Sequence, residues 1–258
     1  MLASRVRLLG SGKSEKNDPN DARSVAIAAL RQAGLAAVRR EDHTQVLRML
    51  AKRHLEIASL RTQAVCRLHA VLTQLRPGGM PPRLSATKAA RMLGGMRNLD
   101  PISEQRRTMA RTHLGDIRRL DREIKANKTL IRSAVVAANT TVTDVYGVGP
   151  VVAAFLIGYT GDIGRFASAN HYAAYNGTAP IEVSSGGKKR HRLSMRGNRK
   201  LNHAIHMAAV TQIRHDTPGR VYYNRKQAEG KTKKEALRAL KRRVSDIVYQ
   251  QLVADQQG

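Results

Sequence analysis

The chain has 258 residues, with 46 Lys and Arg against 19 Asp and Glu and a formal charge of +27. Hydrophobic residues make up 41%, enough to bury a core, which excludes a disordered basic tail and suits one or two domains. The lone Cys66 excludes a disulfide framework and a cysteine-built zinc site. The longest apolar run, Val148 to Tyr159, is far short of the ~20 residues of a membrane span, and the N-terminus shows no apolar signal segment.

In chain order, Arg5 to Leu9 reads as one strand, followed by the turn-like Gly10-Ser11-Gly12-Lys13-Ser14, and a helical segment runs from about Asp18 to Arg40. A helix from about Thr44 to Arg76 places Val46, Leu50, Ile57, Leu60, Ala64, Leu68, Val71 and Leu75 on one stripe. At 1.5 Å per residue it is roughly 50 Å long, the length of a coiled-coil arm. Pro77-Gly78-Gly79 and Pro81-Pro82 break it, and a short helix follows near Ala86 to Leu93. A second long helix starts at Pro101, a good first-turn residue, and runs to about Ala138 with a stripe through Met109, His113 or Leu114, Ile117, Leu120, Ile124, Ile131 and Val135. Two such helices joined by a Pro/Gly tip imply a helical hairpin or a dimerising coiled coil. From about Asn139 the composition changes, and residues 141–215 are denser in Gly and turns. Thr232 to Val253 is amphipathic again, with Leu237, Leu240, Val244, Ile247, Val248 and Leu252 on one side and Lys233, Lys234, Arg238, Lys241, Arg242 and Arg243 on the other.

The charge of the whole points to a polyanion, because a strongly cationic protein attracts nucleic acid by counterion release. Aromatic residues are only 3%, which argues against readers that stack bases on aromatic platforms. The residual alternatives at this level are a ribosomal or nucleoid protein and a membrane-surface binder.

Several segments carry chemistry, each beside a plainer reading. Gly10 to Ser14 imitates the end of a P-loop, but Arg7 stands where its first glycine belongs. Asp18-Pro19-Asn20-Asp21 opens a helix. Its carboxylates complement the helix dipole, or they form an i, i+3 pair able to share a divalent metal. Gly147-Val148-Gly149-Pro150 followed by an apolar helix looks like a helix-hairpin-helix turn whose backbone N–H groups grip a phosphate; a plain turn between buried helices reads similarly. Ile181 to Ser194 holds two alternating stretches around Ser184-Ser185-Gly186-Gly187, which implies a hairpin or loop with an accessible serine. Lys188, Lys189, Arg190, Arg192, Arg196, Arg199 and Lys200 crowd the segment that follows, each able to hold a phosphate; a solvated turn is the plainer reading. His203 and His206 are three apart with no third metal ligand in view, and Tyr222-Tyr223 reads as a core or groove contact before it reads as a nucleophile.

Taken together, Phe166 to Pro180, Ser184-Ser185-Gly186-Gly187-Lys188 and Met195-Arg196-Gly197-Asn198-Arg199-Lys200-Leu201 resemble the C-terminal domain of a group of bacterial insertion-sequence transposases. That group has a RuvC-like DEDD N-terminal domain and a C-terminal domain that carries a serine, and it includes the bridge-RNA-guided recombinases. The likeness is close over about Val145 to Ala209 and looser back to Lys16.

The resemblance implies a fold that is mainly α. A long helical hairpin or coiled-coil linker (41–140) is followed by a mostly helical serine transposase domain (141–258) with the helix-hairpin-helix-like turn and a short β-hairpin. Residues 1–40 are then the remnant of the α/β RuvC-like domain. Asp18 and Asp21 fit the last two DEDD acids, and the serine is Ser185, with Ser184 its neighbouring alternative. Ser185 would attack a DNA phosphodiester, with Mg2+ on the carboxylates and Gly147, Gly149 and the Lys/Arg cluster holding the strand. DNA, a structured guide RNA and a second copy of the chain (a dimer or tetramer through the long helices) are the implied partners, in the cytoplasm at the nucleoid. The family's first two acids lie on strands that this chain starts too late to contain. The expectation is therefore an N-terminally truncated copy, weak or inactive in strand exchange alone. The rival is a non-catalytic basic DNA- or RNA-binding protein.

Overall fold

The computed structural model describes residues 18–31, 41–76, 78–81, 84–97, 99–185, 188–192 and 197–257, and over 181–185 and 188–192 the backbone alone. The strand expected at Arg5–Leu9, the Gly10–Ser14 turn, the end of the first helical segment (32–40) and Arg196 lie outside these residues. The chain divides into two compact units, 1–41 and 42–258. The described part is mainly helical, with one two-stranded sheet.

In the first unit, α1 (Asp18–Arg31) opens with Asp18 and Asp21 and closes with Arg31. Both ends thus complement the helix dipole. The two aspartates are exposed.

The second unit begins with α2 (His43–Leu75), capped by Asp42, whose carboxylate accepts from Thr44 N at 2.9 Å. The short α3 (Ala86–Gly95) is capped by Ser85. In α4 (Pro101–Ala137) the cap is Asp100, which accepts from the N–H groups of Ile102 and Ser103, with Pro101 in the first turn. These caps satisfy N–H groups that a helix start leaves open. Next come a 3-10 turn (Thr141–Asp144), α5 (Pro150–Thr160), a second 3-10 turn (Ile163–Arg165) and α6 (Ala169–Asn176). Strands β1 (Ile181–Ser185) and β2 (Lys188–Arg192) precede α7 (Arg199–Arg214), α8 (Pro218–Ala228) and α9 (Lys233–Gln257).

α2 and α4 pack along each other and contribute to two separate cores. Their distal halves bury Ile57, Leu68, Leu72, Leu114, Ile117 and Leu120, closed off by Ala89 and Leu93 of α3. Their proximal ends, through Leu47, Ala51, Ile131 and Val135, enter the larger core with α5, α7 and α9. Each fully buried leucine in these layers contributes roughly 2 kcal/mol.

The buried stripe differs from the one expected. On α2 it runs through Leu47, Ala51, Ile57, Ala64, Leu68 and Leu72, whereas Val46 and Leu60 are about half exposed. On α4 it runs through Ala110, and Met109 faces out. Small and polar residues hold seam positions that a search for large apolar side chains overlooks. Asn127 is one: it is buried and its Nδ2 donates to the Leu50 carbonyl at 3.1 Å. Arg53–Glu123 (2.8 Å) and Arg61–Asp121 also cross the seam; both pairs are part-exposed and each is worth no more than about 1 kcal/mol.

α5 is apolar all round and buried from Ala153 to Gly158, as a helix enclosed on all sides must be. Gly158 lets it touch α2 backbone to backbone: a Cβ there would lie 2.5 Å from Arg48 N and 2.7 Å from Arg48 Cα. Among the described residues no helix is long and apolar enough to cross a membrane.

Two glycine substitutions should act with opposite sign. Gly158→Ala forces α5 and α2 apart and is expected to cost about 2 kcal/mol, a melting midpoint lower by roughly 4–8 °C. Gly115→Ala, on an exposed part of α4 with nothing within 4 Å of the added carbon, should raise stability by about 0.5–1 kcal/mol. Thermal unfolding followed by circular dichroism measures both.

Candidate nucleic-acid interface

The serine segment is held by its two feet. At the first foot α6 ends in Gly177 at φ +73°, a left-handed cap that suits glycine. The Ala173 carbonyl then accepts from both Thr178 N (2.9 Å) and Ala179 N (3.0 Å). Asn176, wholly buried, completes this foot. Its Nδ2 donates to Ser245 Oγ on α9 at 2.8 Å, and its Oδ1 accepts from Thr178 N and Thr178 Oγ1 at 3.1 and 2.7 Å.

At the second foot Gly197 passes directly over Gly177. A Cβ on Gly197 would sit 2.5 Å from both Gly177 Cα and Gly177 N, so no side chain fits. Asn198 N donates to the Tyr175 carbonyl at 2.7 Å and its Nδ2 to the Tyr175 hydroxyl at 3.2 Å. Its Oδ1 caps α7 by accepting from Lys200 N and Leu201 N. Asn202, one turn on, donates to the Asn176 carbonyl (2.9 Å) and accepts from Lys241 Nζ (2.6 Å).

Between these feet β1 and β2 pair antiparallel in the register Ile181↔Arg192, Glu182↔His191, Val183↔Arg190, Ser184↔Lys189 and Ser185↔Lys188. Ser185 therefore stands at the last pair of the ladder, opposite a lysine. Lys188, Lys189, Arg190 and Arg192 lie along β2, and Arg199 and Lys200 are exposed on the first turn of α7. The fold thus gathers Ser184, Ser185 and six of the seven singled-out cations onto one hairpin and the helix that follows it.

The surroundings are cationic. Arg165 lies 4.4 Å from the Tyr175 ring centroid and 4.5 Å from that of Phe166. Burial opposes ionisation of the Tyr175 phenol, yet the Asn198 amide with Arg165 and Arg48 outweighs it and holds the group below its usual value. Tyr172 shows the contrary case: burial pushes its phenol up to about 12, and it shares a hydrogen bond with Thr160 Oγ1 at 3.1 Å. Lys241 was expected on the solvent side of the last helix. It is buried instead, because α9 packs against both α7 and α8, and burial lowers its pKa. His206 is lowered by burial and then by Lys241 and His203.

The glycine turn stands elsewhere on the same scaffold. Gly147 has φ +86°, and a Cβ would lie 2.8 Å from the Ala208 carbonyl of α7, so this glycine serves conformation and close packing at once. Gln212 Nε2 donates to the Tyr146 carbonyl at 2.8 Å and pins the turn. Ala208 is nine residues beyond Arg199, so the turn meets α7 roughly 13 Å along from the hairpin's foot. Gly149 is exposed at the start of α5, where the N–H groups of Val151 and Val152 have no carbonyl of their own helix.

Asp18 and Asp21 lie in the other unit, three apart in the first turn of α1. Two exposed carboxylates make half of a cation site, and among the described residues no group of three His, Cys, Asp or Glu could complete one. The described donors therefore do not fit a resident Mg2+. The same holds for His203 and His206. Residues that the sequence reading missed are the polar ones that hold the feet, Asn176, Asn202 and Ser245, along with Arg165. The only outward sign of them is the pairing of Asn-Gly at 176–177 with Gly-Asn at 197–198.

Asn176→Ala leaves the Ser245 hydroxyl and the Thr178 groups without their partner, and is expected to cost about 2–4 kcal/mol and to speed proteolytic cutting between the feet. Acidification should also destabilise the fold. His54, lowered by burial and by Lys128, and His206 both have folded pKa values below 6.5, so the unfolded chain takes up protons first as pH falls through that value. The melting midpoint should drop between about pH 7 and about pH 5.5, less steeply in a His54→Gln/His206→Gln double variant.

A family model described as transposase IS116/IS110/IS902 family matches residues 139–224, and a second, a DEDD transposase model of the IS110 type, matches residues 1–77. The chain is 26% identical to the 44.8 kDa uncharacterized protein of insertion element IS116 of Streptomyces clavuligerus, over 95% of this chain and 73% of that protein. It is 37% identical to the 43.6 kDa uncharacterized protein of insertion element IS110 of Streptomyces coelicolor, over 43% of this chain. For the 42 kDa uncharacterized protein of insertion element IS900 of Mycobacterium paratuberculosis the figures are 38% and 41%. The match spans 27% of each of these last two proteins. The two family models together cover more than half of the sequence, and the chain belongs to the IS110/IS116/IS902 family of insertion-element transposases.

Proposed function

We propose that the chain is a DNA recombinase of its insertion element and that Ser185 is its nucleophile. The carrying observation is the position of Ser185 at the last pair of a two-stranded ladder, opposite Lys188, with both feet of the hairpin locked. A nucleophile at the end of a braced ladder keeps its position as a strand docks, which converts binding into orientation. The serine Oγ attacks phosphorus, gives up its proton, and displaces a sugar oxygen that takes a proton in turn; the product is a phosphoserine ester. A sugar hydroxyl of another strand reverses the step and completes the exchange. Lys188, Lys189, Arg190, Arg192, Arg199 and Lys200 offset the phosphate charge and the extra charge of the pentacoordinate transition state.

Strand binding beyond the reacting phosphate is assigned to Gly147 and Gly149 through the start of α5. Asp18 and Asp21 supply carboxylates for the family's divalent-metal chemistry only with further donors. A structured guide RNA and self-association belong to the same reading. The charge of +27 supports the first, and the exposed Met49 and Leu60 of α2 and Met109 and Leu130 of α4 support the second.

The test is covalent trapping on end-labelled insertion-element DNA. Wild-type protein should give an adduct that survives denaturing electrophoresis. Ser185→Ala should abolish it while DNA affinity stays within about two-fold, and Ser184→Ala should retain it. Affinity should fall by roughly 10³-fold between about 50 and 200 mM salt for a footprint of some six phosphates. Salt-sensitive binding with no adduct from any variant would leave the non-catalytic polyanion binder in its place.

A further inference from the structure

A cavity of about 290 Å³ opens between the first 3-10 turn, α8 and α9, away from the serine hairpin. Its lining is largely apolar, with Val145, Leu240 and Val244 among the residues, and its charged and amide side chains belong to Asp144, Arg243, Gln212 and Gln251, beside the Thr217 hydroxyl. Tyr146, about half exposed, offers an aromatic ring at the same place, 5.9 Å from the His215 ring. The side chains of Asp144 and Arg243 make no hydrogen bond or ion pair with any described residue, although both residues line this cavity.

The cavity is a built one. Gln212 is buried and spends its Nε2 on the Tyr146 carbonyl, and Thr217 Oγ1 donates to the Gln212 carbonyl at 2.9 Å. Gly219 leaves room for the Gln212 side chain: a Cβ there would fall 2.0 Å from its Oε1. These contacts hold the wall in shape without a ligand.

We propose that this cavity receives one unstacked nucleobase of the bound DNA. The volume is at the small end of the about 300–1,000 Å³ typical of ligand pockets, which suits a single planar ring system and not a whole nucleotide. A base edge carries both donors and acceptors, matched by one acceptor, Asp144, and one multiple donor, Arg243. Its faces need apolar walls and an aromatic neighbour, which the cavity supplies. A phosphate does not fit these walls and would meet the Asp144 carboxylate. An apolar peptide side chain would leave both charged groups unmatched. The backbone of an extruded nucleotide also has a path past Arg225 and Lys226, whose charged groups lie 5.3 and 5.5 Å from the Tyr222 ring centroid.

The inference rests on the DNA-binding part of the proposed function, and the experiment separates the two. Three labelled 20-base-pair duplexes are compared by fluorescence anisotropy: one fully matched, one with a central T·T mismatch, and one with an abasic site at that position. Extrusion costs little in the second and third, but only the second has a base to fill the cavity. The mismatched duplex should bind about ten-fold tighter than the abasic one. An Asp144→Asn/Arg243→Gln variant, altered only at exposed side chains, should lose that preference while its affinity for the matched duplex changes less than about three-fold. Equal affinity for mismatched and abasic duplexes overturns the cavity's role, as does a preference that survives in the double variant. Failure to bind any of the three overturns the DNA-binding reading as well.

Discussion

Asn176, Ser245 and Lys241 bring an amide, a hydroxyl and an ammonium into the interior of one helical unit, beside the half-buried amide of Asn202, and each buried group would cost several kcal/mol if left without a partner. They answer one another instead. The Asn176 amide spans α6 and α9 through Ser245, its backbone carbonyl receives Asn202 from α7, and Asn202 in turn receives Lys241 from α9. Such a network tolerates few alternative arrangements, because shifting one helix opens bonds in two others. The chain enters and leaves the β1–β2 hairpin at Asn176 and Asn198, so a demand made in the core fixes a position at the surface.

Backbone contact supplies a second constraint of the same kind. Gly177 against Gly197, Gly147 against Ala208 and Gly158 against Arg48 are places where two main chains touch with no side chain between them. The first joins the two feet of the hairpin, the second sets the glycine turn on α7, and the third seats α5 on α2. The base of the α2–α4 pair shares its core with α5, α7 and α9, so the arm leaves the unit as an extension of that core.

The sequence shows elements better than it shows faces. Helix starts at Pro101, Ala86 and Asp18 follow from proline, cap and charge signals that act within one turn, and they appear within a residue of expectation. Which side of a helix is buried depends on what packs against it. Val46 and Leu60 are as apolar as their neighbours, yet the seam takes Leu47, Ala51 and Asn127, because the partner helix comes close only where residues are small or can hydrogen-bond. Lys241 misleads for the same reason: charge marks it as a surface residue, but α9 has partners on two sides. At the candidate site, serine, glycines and cations were legible because they cluster in sequence. The Asn–Ser–Asn–Lys bracing was not, since its members come from 176, 202, 241 and 245 and meet only in three dimensions.

Lys241 also bears on the partner. Among the described residues it has Asn202 for company and no carboxylate, with His206 nearby, while Arg199 and Lys200 stand exposed on the first turn of α7. A buried ammonium without an acid raises the local potential instead of cancelling it, and screening by salt is weakest where water is excluded. The surplus of cations over the whole chain has the same sense. A protein so charged repels itself as a compact body and is relieved when a polyanion displaces its small counterions. Phosphates crowding a braced hairpin would therefore stabilise the fold as well as dock on it, and binding and rigidity at the serine would rise together.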